Sequence, residues 1–122
     1  LYGRCKAEFF RSASIKAESD GLEFAWGRIF WLFGPYEDRR RVVPYVISSL
    51  LEGKEAQCSS GQQERDFIYV DELARAFSLL IDSNLGGAVN LGSGSAIAVK
   101  DLLLMIAGLI GKKELLKLGA LE

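Results

Sequence analysis

The sequence has no histidine, one methionine, two prolines and two cysteines among its 122 residues. Each scarcity excludes something. With no histidine, and with Cys5 and Cys58 standing apart, the chain has no ligand cluster for zinc or another transition metal, and no metal site is expected. Two cysteines build no disulfide framework, so both read as small, semi-buried thiols of a reducing compartment. A net charge of -1 supplies no basic field, so neither nucleic acid nor an anionic membrane is an expected partner. Long hydrophobic runs are also missing: the most apolar one, Leu102 to Ile110, is too short to span a bilayer. No secretory leader is recognisable, and a cytoplasmic protein is expected.

What is present is 49% hydrophobic residues, enough for one globular domain or a piece of a larger one. The opening Leu1-Tyr2, without an initiator Met, reads as the start of a fragment. The closing Leu121-Glu122 reads as the remnant of a tag and is set aside from function.

Leu1 to about Ser19 has apolar residues at helical spacing, and Asp20-Gly21 supplies a stop. Leu22 to Phe33 is rich in Phe, Trp, Ile and Leu and reads as a single strand buried on both faces, as in a parallel sheet. Arg28 interrupts it and must find a partner or a cleft. Gly34-Pro35 ends the strand, and the charged stretch Tyr36 to Arg41 leads to a helix over Val42 to Glu52 with Pro44 in its first turn. A short strand is expected within Lys54 to Ser59, a polar turn at Ser59 to Gln63, and another strand over Arg65 to Val70. Asp71 is placed as the N-cap of a helix reaching about Asp82. Ala88 to Leu91 reads as a strand, Gly92 to Ser95 as a strand-to-helix turn, and Val99 to Ile110 as the last helix before a Lys-rich tail. Helices alternating with short apolar strands point to an α/β fold.

Two patterns carry chemistry. Tyr2 and Lys6, four apart, fall on one helix face, where an ammonium beside a phenol favours proton transfer through the phenol oxygen. Arg39-Arg40-Arg41 is a basic run that serves either as a solvated loop or as an anion site. A third pattern is rejected. Gly92-Ser-Gly-Ser-Ala-Ile97 imitates a dinucleotide-binding glycine loop, but Ile97 stands where the fingerprint needs a third small residue.

Four segments in order are Tyr2-Gly-Arg-Cys-Lys6, Gly27-Arg-Ile-Phe-Trp-Leu-Phe-Gly-Pro35, Arg65-Asp-Phe-Ile-Tyr-Val-Asp71 and Val89-Asn-Leu-Gly-Ser-Gly94. Together they resemble the C-terminal half of an extended short-chain dehydrogenase/reductase, in the branch of nucleotide-sugar epimerases and dehydratases. The resemblance implies the C-terminal part of a Rossmann-like, doubly wound parallel sheet joined to a small α/β substrate-binding lobe. It places the dinucleotide-binding part at 1–35 and the nucleotide-sugar region at 36–120, with 121–122 left over. It implies Tyr2 as acid/base toward a sugar hydroxyl, Lys6 as holder of the cofactor ribose, and Ile29 as a backbone contact to NAD or NADP. It implies Arg65 as the diphosphate clamp, Arg41 and Val42 near the same diphosphate, and Gln57 and Cys58 beside the base. Asp66 and Asp71 read as pairing or capping residues. Trp31 departs from the pattern, which often has Asn there. The family's glycine loop, its NAD/NADP-selecting acidic residue and its catalytic Ser/Thr all precede Tyr2. The resemblance therefore implies a fragment of a nucleotide-sugar epimerase, dehydratase or ketoreductase, inactive alone, with a nucleotide-diphosphate sugar as partner and a homodimer or self-associating state. A non-catalytic member that senses dinucleotide or binds a protein is the alternative.

Overall fold

Apolar residues recurring every third or fourth position set the helices of the computed structural model, which describes residues 1–121. Glu122, assigned with Leu121 to a tag, lies outside the described residues. The order is α1 (Tyr2–Ser19), β1 (Ala25–Ile29), β2 (Trp31–Phe33), α2 (Val42–Leu51), β3 (Ala56–Cys58), β4 (Glu64–Tyr69), α3 (Val70–Ile81), β5 (Gly87–Leu91), β6 (Ala96–Ala98), α4 (Val99–Ile110) and, after a short 3-10 turn, β7 (Leu116–Leu118). The α/β class holds, with parallel pairing of β1 to β5, β2 to β4 and β3 to β7. The antiparallel pair is β4 with β6. No helix is long and apolar enough to cross a membrane, among the described residues.

The chain divides into two compact units, Leu1–Phe30 with Asp71–Leu91, and Trp31–Val70 with Gly92 onward. This division is not the linear one at residue 35, because the chain leaves the first unit after Phe30 and re-enters it at Asp71. The expected single strand from Leu22 to Phe33 is corrected for the same reason. It is two short strands in separate sheets, and neither is buried on both faces. Arg28 is exposed, so no buried charge needs a partner; its guanidinium lies 5.8 Å from the Phe10 ring.

In the first unit, α1 turns Phe10, Ala13, Ser14 and Ala17 inward, a stripe at helical spacing. Phe10 meets Phe24 and Trp26 with ring centroids 6.1 and 5.6 Å apart. On α3, Leu73, Ala76, Phe77 and Leu80 form the equivalent stripe. Gly27 lets α3 come close, since a Cβ there would lie 2.7 Å from the Phe77 ring.

The second unit holds the main core: Val46 and Leu50 of α2 pack with Ala56 and Cys58 of β3 and with Val99, Leu103 and Ala107 of α4. Leu50, Leu103 and Val46 are its fully buried large side chains. Gly111 ends α4 in the left-handed region, as expected of a glycine just past a helix. Three local expectations are corrected. The helix expected from Glu72 starts at Val70, so Asp71 is an acidic residue of its first turn rather than its cap. The turn after β5 leads into β6, a strand, before α4 begins. The Lys-rich tail contains β7, which pairs with β3.

Candidate functional site

The first-unit residues come from α1 and β1. Tyr2 and Lys6 share a face at the start of α1, with Lys6 Nζ 5.6 Å from the centre of the Tyr2 ring, and both side chains are open to solvent. Ile29 ends β1 opposite Leu91 and is 48% exposed. It stands at the carboxyl end of a parallel strand pair, the end where open α/β sheets bind ligands.

The second-unit residues come from β2, α2, β3 and β4, and they converge. Arg41, Val42, Gln57, Cys58 and Arg65 all line one cavity of about 800 Å³. That volume is in the range of small-molecule sites, roughly 300–1,000 Å³. Strand geometry explains the convergence. Arg65 and Phe67 lie two apart on β4, so they share a face, and the parallel register sets Trp31 beside Phe67. All three line the cavity. Tyr45, one turn along α2 from Arg41, joins the wall, and its hydroxyl accepts a hydrogen bond from the Gln57 N–H at 3.2 Å.

The charges in the wall are arginines and one carboxylate. Arg41 Nε donates to Glu37 Oε1 at 2.9 Å, and Arg40 is paired with Asp38 through Nε at 3.0 Å. The Arg40 guanidinium holds the Asp38 carboxyl below the usual carboxylate range. Arg65 has no carboxylate partner among the described residues; it donates to the Glu64 carbonyl at 2.7 Å. Both Arg65 and Arg41 approach the Trp31 ring, with Cζ 5.2 and 6.0 Å from its centre. Glu37 Oε2 is buried and has no hydrogen-bond partner among the described residues.

Helix α2 adds donors. Arg41 is its N-cap and makes no capping side-chain bond, and Pro44 has no N–H. Val42 and Val43, whose N–H groups find no acceptor among the described residues, both line the cavity. Cys58 is 5% exposed, and burial pushes its thiol up, so it is a wall residue rather than a nucleophile. Leu121, set aside as tag-derived, also reaches the wall, with its N–H donating to the Cys58 carbonyl at 3.2 Å.

Asp66 faces the other way on β4. Its Oδ1 accepts from the Ser93 N–H and hydroxyl, both at 2.7 Å, and its Oδ2 from the Gly94 N–H at 2.9 Å. Desolvation opposes its charge, but the hydrogen bonds from Ser93 and Gly94 prevail and hold the carboxyl below its ordinary value. The glycine-rich turn thus already carries an anion of the chain's own, which agrees with reading it as no cofactor loop.

Sequence reasoning missed Glu37, Tyr45 and Phe67 as wall residues. Tyr45 was within reach of the helical spacing from Arg41, and Phe67 of the strand alternation from Arg65. Glu37 gave no such signal, because it lies in an irregular loop.

The sequence model of the family described as "NAD dependent epimerase/dehydratase family" matches residues 1–92. The chain belongs to that family. A dTDP-glucose 4,6-dehydratase of Escherichia coli K12 is 33% identical over 110 residues, covering 80% of this chain and 30% of that protein. A UDP-N-acetylglucosamine 4-epimerase from Methanobrevibacter ruminantium M1, solved with UDP-N-acetylmuramic acid, matches 96% of this chain and 39% of its own at 30% identity, with a TM-score of 0.86. A UDP-glucose 4-epimerase from Thermus thermophilus, solved with NAD, matches 96% of this chain and 40% of its own at 26% identity and a TM-score of 0.81. The chain therefore spans between 30% and 40% of the length of these relatives.

Proposed function

We propose that this chain supplies the acid/base pair and the nucleotide-sugar cavity of an NAD(P)-dependent epimerase, dehydratase or ketoreductase of its relatives' length, and is inactive alone. The observation that carries the reading is the single cavity onto which Arg41, Val42, Gln57, Cys58 and Arg65 converge. Among the described residues it offers an arginine without a carboxylate partner, two helix N–H groups without an acceptor and an apolar wall. Those are the requirements of a diphosphate flanked by a base and a sugar.

In this reading Tyr2 accepts the proton of a sugar hydroxyl, or returns it, and the Lys6 ammonium offsets the charge that develops on the Tyr2 oxygen. A nicotinamide cofactor, when bound, takes up or returns hydride at the sugar carbon. The exposed Tyr2–Lys6 face and Ile29, at the carboxyl end of β1, suit the ribose and nicotinamide end of that cofactor. The Gly92–Ser95 turn does not suit its diphosphate, since Asp66 holds the Ser93 and Gly94 N–H groups.

Two measurements test the reading. Calorimetric titration of the full chain with UDP- and dTDP-sugars is expected to show binding that weakens about tenfold or more in Arg65→Ala, the scale of a lost charged hydrogen bond. In the complete protein, Tyr2→Phe is expected to lower turnover by about 10²–10⁴ while sugar-nucleotide binding survives. Unchanged turnover would favour a non-catalytic, dinucleotide-sensing or protein-binding member of the family.

A further inference from the structure

We infer that Trp31 is the positioning residue that holds Arg41 and Arg65 together as a two-cation clamp for a diphosphate. The inference rests on reading the cavity as a nucleotide-sugar site. Two guanidinium groups repel each other, and each sits on a long side chain with many rotamers. Left to solvent they would diverge. Here both lie within cation–π reach of one indole, at 5.2 Å for Arg65 and 6.0 Å for Arg41. The ring's electron-rich face offsets part of their repulsion and narrows the space each one samples.

Trp31 is itself held in place. It is part of β2, in parallel register with Phe67, and the two rings lie 6.2 Å apart. Arg65 enters from β4 and Arg41 from the N-terminus of α2. Elements that only the tertiary structure brings together thus meet on one ring. Trp31 is 42% exposed and lines the cavity, so the clamp opens onto the ligand space. Glu37 already pairs with Arg41, so Arg65 alone leaves the clamp short of charge for a ligand with adjacent phosphates. Both guanidiniums are needed, and their convergence is what Trp31 provides.

The test is titration of the full chain with UDP and with inorganic pyrophosphate, for the wild type, Trp31→Leu, Trp31→Phe, Arg65→Ala and the Trp31→Leu/Arg65→Ala double variant. Leu keeps apolar volume but has no π face, whereas Phe keeps the face. Trp31→Leu is expected to weaken both ligands about tenfold, and Trp31→Phe by less than about threefold. In the Arg65→Ala background, Trp31→Leu should cost much less than it does alone. Thermal unfolding of each variant separates lost binding from lost folding. If Trp31→Leu does not fold, a Trp26→Phe protein keeps the question open to measurement, because its remaining indole is Trp31. Its emission should change on adding pyrophosphate, and the change should vanish on replacing Arg65 with Ala. Binding by Trp31→Leu equal to the wild type, effects that simply multiply in the double variant, or an indifferent Trp31 emission would overturn the positioning role. If Arg65→Ala also binds both ligands normally, or the wild type binds neither, the cavity reading falls with it. Arg65-dependent binding with no Trp31 effect removes the clamp alone.

Discussion

The Asp66 carboxylate takes three hydrogen bonds from Ser93 and Gly94, and these tie β4 to the turn after β5. Its carboxyl sits below the ordinary value of 3.8. A depressed folded-state value means that the contribution to stability is complete above the unfolded-state value and is lost as pH falls through the folded one. Asp66→Asn is therefore expected to lower the urea midpoint at neutral pH, with the gap to the wild type closing at pH below 3.8. A gap that stays constant from neutral to strongly acidic pH would mean that the charge is not what the turn relies on. Arg41 and Glu37 lie further from sequence-level reasoning: a spacing of four read as a charge pair assumes a helix, and these residues pair across the loop that leads into α2.

Among the elements, the polar turn between β3 and β4 sets how α4 enters the second unit. The Gly61 carbonyl accepts from the Lys100 N–H at 2.9 Å, and the Gln63 carbonyl from the Val99 N–H at 3.0 Å. Gly61 has φ +65°, and a Cβ there would stand 2.8 Å from the Lys100 nitrogen, a backbone atom that cannot step aside. Gly61→Ala is expected to destabilise the chain by about 1–3 kcal/mol, through the left-handed conformation and that contact together. Chemical denaturation measures it, and a variant as stable as the wild type would show that the turn can re-form elsewhere. Gly61 also borders the cavity, so the same substitution should disturb ligand binding.

On the scale of the whole molecule, much apolar surface remains uncovered. Leu22, Leu79, Ile81 and Leu109 are between 64% and 89% exposed, and the outer face of α4 also presents Leu104 and Met105. Strand β1 pairs with β5 alone among the described residues, so its other edge offers a row of free backbone groups. Exposed edges and apolar faces of this extent favour association between copies. Sedimentation velocity on the full chain is expected to show dimers or larger species that grow with concentration. A single monomeric boundary at high concentration would count against this.

The sequence by itself determined the α/β class, the last helix, the helix-ending glycines and five of the residues that line the cavity, Arg41, Val42, Gln57, Cys58 and Arg65. These depend on local periodicity, on turn chemistry and on short motifs that survive reading one after another. Tertiary structure alone decided the rest. The Leu22–Phe33 run has no proline, glycine or polar residue between Ile29 and Phe33, so its pattern holds no signal for the break at Phe30 that sends β1 and β2 to different sheets. β6 and β7 are three residues each, too short to carry a period, and exist because β4 and β3 offer them partners. Trp31 read as part of one buried strand and, by the resemblance, as a departure from the family's Asn. It became the ring shared by two arginines only once register with Phe67 put it on the cavity side of β2, a matter of long-range pairing that no local window contains.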